Sequence, residues 1–239
     1  MSHRYSDSDR DAIYRVIAQR RDMRHFRSDP VPDEVLQRVL HAAHQAPSVG
    51  LMQPWRFIRI SDAALRCQIH ALVETERQLT AEALGCRDAE FMRLKVEGVA
   101  DCAELWVAAL MDNREAHVFG RRTLPEMDLA SVACAIQNMW LAARAEGLGM
   151  GWVSLFDPQA LAKLLDIPAG GASVALNSTV PVDRAVVQPE ESTATAANTD
   201  ANQNHPLTFK AYSCALANMN RCGHLLMYAI IAITPMMMR

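Results

Sequence analysis

Residues 20–26 read Arg20-Arg21-Asp22-Met23-Arg24-His25-Phe26. Three guanidinium groups surround one carboxylate, and an aromatic ring follows two places after the last arginine. Planar guanidinium forks match phosphate and carboxylate groups through paired, charge-assisted bonds. The single acid among them can take or give a proton beside such a ligand. Taken alone, the same residues also describe a solvated, self-paired charge face, because surface ion pairs are common and weak.

The flanking sequence places this cluster at the end of a helix. Ser8 precedes an amphipathic stretch with Ile13, Val16 and Ile17 on one face, and Asp11 follows it at capping-box spacing. Pro32 opens a second helix, with Val35, Leu36, Val39, Leu40 and Ala43 turned inward. Pro47 and Gly50 then enforce a loop, and Arg56–Ile60 reads as a strand. A third helix starts at Ser61-Asp62 and runs to about Leu84. Glu90–Val96 reads as helical and Leu105–Met111 as an apolar run of strand length.

The strongest periodicity lies in Met127–Glu146. Leu129, Val132, Ile136, Met139, Trp140 and Ala143 recur at helical spacing, and Gly147 is placed to stop the helix. A helix this apolar all round is expected at the centre of the molecule or at a subunit interface. Gly149–Leu155 follows as a strand, Asp157-Pro158 opens a short helix, and Ala172–Leu176 reads as a last strand. Helices separated by a few strands, without a regular βαβ rhythm, predict an α+β fold.

Composition narrows the function. The chain has 239 residues, is half apolar and carries a formal charge of -3. It can bury a full core, and it has no global basic field to attract nucleic acid, so any anion site is local. None of its six cysteines forms a CxxC pair. Cys67, Cys86, Cys102 and Cys134 sit in apolar runs and read as buried free thiols, which suits a reducing compartment. The polar start lacks a signal-peptide core. Leu225–Met238 is too short for a membrane span and reads as a core or interface segment, or as a sequence that has gone wrong. A cytoplasmic protein with no membrane partner and no bound metal is expected. His41 and His44 are spaced for a metal, yet no carboxylate or thiol completes a set.

Two further segments join the arginine cluster. Ala46-Pro47-Ser48-Val49-Gly50-Leu51-Met52-Gln53-Pro54-Trp55 offers the backbone amides and hydroxyl of a loop between a helix and a strand. Gly149-Met150-Gly151-Trp152-Val153-Ser154 lets the backbone come close to a planar ligand. It is not the dinucleotide fingerprint, because here a helix precedes the glycines. No histidine lies near Ser154 in sequence, so acyl transfer is not expected.

Together the arginine motif, the Pro-Ser loop leading to Gln-Pro-Trp and the long apolar helix ending in a Gly-rich strand resemble the nitroreductase-like FMN-binding family. Residues 10–185 carry the resemblance. Asp22, where many members have Ser, and Gly-Trp-Val-Ser at 151–154 resemble the branch that uses dioxygen to break reduced FMN down to 5,6-dimethylbenzimidazole, the lower ligand of cobalamin, with release of erythrose 4-phosphate. The resemblance implies a mostly antiparallel sheet flanked by helices and an intertwined homodimer with flavin between the protomers. A separate flavin reductase would supply the substrate. It implies that Arg20, Arg21 and Arg24 contact the phosphate and ribityl chain and that Asp22 and Ser154 are catalytic. Met23, Ser48, Met52, Gln53, Leu94, Gly151, Trp152 and Val153 would complete the flavin site, with Arg93–Lys95 as a lid. An NAD(P)H-dependent nitroreductase and a non-catalytic flavin-binding relative are the alternatives.

The resemblance implies a flavin domain over residues 1–187. Residues 188–206 are polar and low in complexity and read as a linker or loop. Residues 207–239 read as a divergent tail of uncertain fold. Family members offer a late basic residue to the flavin phosphate; here Lys210 or Arg221 would have to replace it.

Overall fold

The computed structural model describes residues 3–84, 91–92, 98–167, 186–187 and 229–236. In chain order the elements are α1 (Asp7–Gln19), α2 (Asp33–His44), β1 (Trp55–Arg59), α3 (Ala63–Leu84), α4 (Gly98–Asp101), β2 (Glu104–Leu110), α5 (Met127–Ala145), β3 (Leu148–Val153), α6 (Pro158–Leu164), β4 (Val186–Val187) and β5 (Ala229–Pro235). The strands form one sheet in the order β3-β5-β2-β1-β4. Each neighbouring pair is antiparallel.

Strand alternation sorts the core into two layers. Trp55, Phe57, Trp106, Ala108, Leu110 and Ile231 face α2 and α5. Ile58, Leu105, Val107, Ala109 and Ile230 face α3, α4 and α6. With helices on both faces, β2 is buried along its whole length, so it reads as a continuous apolar run rather than an alternating one. The expected α+β architecture is the one observed. Helix α5 lies at its centre, with Val132, Ala135, Ile136, Met139 and Ala143 all 1 % exposed or less. Gly147 ends it in the left-handed region at φ 77°, a conformation that glycine adopts without penalty.

Several local expectations change. The cap of α1 is Ser6 rather than Ser8: its hydroxyl accepts from the Asp9 amide at 3.2 Å and donates to the Asp9 carboxylate at 2.5 Å. The box therefore sits two residues earlier with the same spacing, because two serines and three aspartates crowd this stretch. No residue of α1 is buried, and Ile13 and Ile17 are each half exposed. Cys102 is buried, but Cys67 and Cys134 are exposed, since the apolar runs that hold them are helices with an outer face. Burial pushes the Cys102 thiol up to about 11. The Ala172–Leu176 strand, all of Glu90–Val96 but Phe91 and Met92, Cys86, and the 188–206 linker lie outside the described residues.

The late apolar segment, read as a core or interface piece, forms β5. Residues 229–235 insert between β2 and β3, and Ala229–Ile233 are 1 % exposed or less. This strand also anchors the arginine motif. The Arg27 amide donates to Thr234 Oγ1 at 2.8 Å, and that hydroxyl donates to the Arg27 carbonyl at 2.8 Å.

Candidate active site

The motif at residues 20–26 lies along the open edge of β3. The Met23 amide donates to the Met150 carbonyl at 3.1 Å, and Asp22 forms a parallel bridge with Met150. The Asp22 side chain completes the attachment: its Oδ1 accepts from the Trp152 amide at 3.2 Å. Its Oδ2 lies 3.4 Å from the Arg24 guanidinium. Such close backbone approach needs Gly151, where a methyl group would stand 2.6 Å from the Met23 carbonyl oxygen. Phe26 closes the other side, wedged between Gly98 and Gly151. A methyl at Gly98 would lie 2.4 Å from its ring.

A cavity of about 210 Å³ opens beside this junction. Asp22, Met23, Arg24, Gly151, Trp152, Val153 and Ser154 all line it. The structure thus brings both expected catalytic side chains and five expected binding residues to one wall. Arg77 of α3 also lines the cavity, a residue that sequence reading missed. It is fixed by two bonds to the Glu74 carboxylate, at 2.7 and 2.8 Å, and by a third to the Met92 carbonyl at 3.1 Å. A charged residue in mid-helix carries no sequence signal for such a place.

The other expected residues stand elsewhere. Arg20 and Arg21 line a smaller hollow on the far side of Met23, with Trp140, Arg144 and Met150. The Arg20 guanidinium lies 4.5 Å over the Trp140 ring, within cation–π range. Ser48, Met52 and Gln53 belong to the loop after α2 and line neither the cavity nor the hollow. Ser48 Oγ accepts from the Gln53 amide at 3.0 Å, and Met52 is buried. Leu51 and Gln53 take positive φ, 56° and 48°, so the loop holds backbone strain of the kind found at ligand sites. Leu94 and the proposed lid lie outside the described residues.

His44 fastens this loop. Its carbonyl accepts from Gln53 Nε2 at 3.1 Å, and its Nδ1 accepts from Trp55 Nε1 at 2.9 Å. Burial, then repulsion from His41 of the same helix and Arg56 of β1, holds the ring below its ordinary 6.5. The folded state therefore keeps the ring neutral while the unfolded chain takes up a proton near pH 6.5. That stability is complete above pH 6.5 and is lost as the pH falls toward the folded value. The melting temperature should drop on acidification below pH 6.5, and His44→Gln should flatten that slope. An identical slope in the variant would place the titrating group elsewhere.

Residues 17–179 match the model of the nitroreductase family. The chain belongs to this family. A 5,6-dimethylbenzimidazole synthase of Rhodospirillum rubrum is 42% identical over 177 residues, covering 72% of this chain and 82% of the relative. One of Rhodobacter capsulatus is 40% identical over 167 residues, covering 69% and 80%. Among solved structures, iodotyrosine deiodinase bound to FMN and 3-iodo-L-tyrosine superposes with a TM-score of 0.57 at 18% identity, covering 82% of this chain and all of that one. A nitroreductase family protein of Clostridium novyi gives 0.51 at 23% identity, covering 66% and 78%. At those identities the structural likeness speaks for the fold.

Proposed function

We propose that this chain is an oxidoreductase, a 5,6-dimethylbenzimidazole synthase that fragments reduced FMN with dioxygen in the lower-ligand step of cobalamin synthesis. Asp22 carries the reading: a carboxylate held on the β3 backbone, beside Arg24, in the cavity that Ser154 also lines. The curated synthases at 40–42% identity support it.

The residues fit a flavin phosphate ester. Phe26, Trp152, Val153 and Ala232 give the cavity apolar and aromatic walls, suited to a planar ring system. The guanidinium groups of Arg20 and Arg21, which pair with no carboxylate among the described residues, suit a phosphate. When bound, reduced FMN supplies the electrons that activate dioxygen, and its ring is consumed. The protein's own work is to bind, orient and exchange protons. Met23, Gly151, Trp152 and Val153 would lie along the ring. Asp22 would exchange a proton at its Oδ2, the oxygen not engaged by Trp152, with Arg24 keeping the carboxylate oriented. Ser154 would donate a hydrogen bond at the ring edge. Phe26 and the β3 edge would limit access of water to the reacting atoms.

A homodimer completes this reading. Ile13, Tyr14, Ile17, Leu51 and Phe119 are all at least half exposed, an amount of apolar surface that suits a subunit contact. A partner's Ser48–Gln53 loop would then close the flavin site. A separate flavin reductase would supply the substrate, and the free thiols of Cys67, Cys102 and Cys134 suit a cytoplasmic setting. Among the described residues, no helix is long and apolar enough to cross a membrane.

The test is a product analysis. Reduced FMN incubated with the protein in air should yield 5,6-dimethylbenzimidazole by mass spectrometry. Oxidised FMN as the sole flavin product, with NAD(P)H consumed on a nitroaromatic, would replace the proposal by an ordinary nitroreductase. Flavin binding without faster oxidation would indicate a non-catalytic relative.

A further inference from the structure

The hollow beside Met23 holds more positive charge than the sequence motif accounts for. Arg144, in the last turn of α5, lines it together with Arg20 and Arg21. The hollow is about 50 Å³, room for several water-sized groups. Among the described residues none of the three guanidiniums is within ion-pair distance of a carboxylate. Arg20 rests on Trp140, Arg21 bonds only to the carbonyls of Ala18 and Arg20, and Arg144 bonds to the Gln19 amide oxygen at 2.8 Å. The Arg144 Nε–H and the Trp140 indole N–H, both from residues lining the hollow, are buried with no acceptor among the described residues. A buried donor without a partner costs free energy, and like charges gathered without a counter-ion repel each other. A compact anion with several acceptor oxygens would offset the repulsion and offer acceptors beside these donors.

The position of the hollow says which anion. It borders Leu148, Gly149 and Met150, while the cavity at Asp22 borders Gly151 through Leu155 on the same strand edge. Three to four residues of strand separate their centres by about 10 Å, and Met23 lines both. A ribityl chain ending in a phosphate ester spans a comparable length from a ring seated at Asp22.

We infer that Arg144 is a phosphate-binding residue. Together with Arg20 and Arg21 it grips the phosphate monoester of the flavin. The inference rests on the flavin reading above and goes beyond it by assigning a residue outside the arginine motif. Riboflavin, which lacks only the phosphate, is the matched probe. Dissociation constants of oxidised FMN and riboflavin are measured by fluorescence titration for the wild-type chain and for Arg144→Gln.

The wild type should prefer FMN. The variant should bind FMN on the order of ten- to a hundredfold more weakly, the range for one or two charge-assisted bonds, with riboflavin unchanged. An unchanged FMN-to-riboflavin ratio, including an equal fall in both, overturns the inference, because Arg144 would then act on the fold or the ring. A wild type that binds both flavins equally overturns the phosphate grip alone and leaves the proposed function standing. A wild type that binds neither overturns the proposed function and this inference with it.

Discussion

Asp22→Asn should cut formation of 5,6-dimethylbenzimidazole at least about a hundredfold while leaving flavin bound. The amide oxygen of Asn can still accept from the Trp152 amide, which Asp22 Oδ1 does at 3.2 Å. The backbone attachment through Met23 and Met150 needs no side chain. The motif therefore stays on the β3 edge, and the cavity keeps its shape. What disappears is the exchangeable proton and the charge facing Arg24 at 3.4 Å. General acid–base groups are worth about 10²–10⁴ in rate. Product per enzyme should fall by that factor, as read by mass spectrometry after incubation of reduced FMN in air, while flavin fluorescence titration changes little. Undiminished product would place the proton-transfer group elsewhere, and Ser154 would be the next residue to replace.

Asp128→Asn should be the most destabilising of the changes considered. Asp128 is 3% exposed, and it receives Arg114 Nε at 3.0 Å and Arg121 Nε at 2.8 and 3.1 Å. Arg114 is itself buried and also donates to the Met111 carbonyl. One carboxylate therefore ties the 112–124 segment to the first turn of α5. Neutralising it leaves Arg114, largely out of water, with no other carboxylate among the described residues, and leaves Arg121 with Glu115 alone, at 3.4 Å. Breaking a buried pair this way costs about 3–5 kcal/mol, which lowers the melting temperature of a chain this size by roughly 6–20 °C. The effect reaches the loop after α2, because Gly50 packs on the Phe119 carbonyl and Gly120 on Val49. A melting temperature within a degree or two of wild type would mean that Arg114 and Arg121 find other acceptors, and the clasp would lose its assigned weight.

The parts of this molecule that could be read from the chain are those set by neighbours in sequence. Helix α5 follows from its apolar spacing, and α2 from Pro32 and its inward face. Leu36, Val39, Leu40 and Ala43 are buried as that spacing requires. The glycines at 149 and 151 announce a close backbone approach, and the approach is made by Met23. Side-chain periodicity and φ preferences act over a few residues, so they leave a readable mark.

The rest depends on residues far apart in sequence. Ala229–Pro235 pairs with both β2 and β3, although nothing local tells an apolar run at the end of a chain which strands it will join. Thr234 binds Arg27, and Arg144 meets Arg20 and Arg21. Both meetings depend on how the sheet places α5 and β5. The motif at 20–26 reads as one cluster, yet strand geometry divides it, with Asp22 and Arg24 at one cavity and Arg20 and Arg21 at another. By itself the sequence determined the chemistry on offer, an acid set among guanidiniums next to a glycine-lined edge, because residue types and short-range spacing carry that information. Only the tertiary structure decided which of those groups face one another, because pairing across a sheet is settled by packing of the whole core.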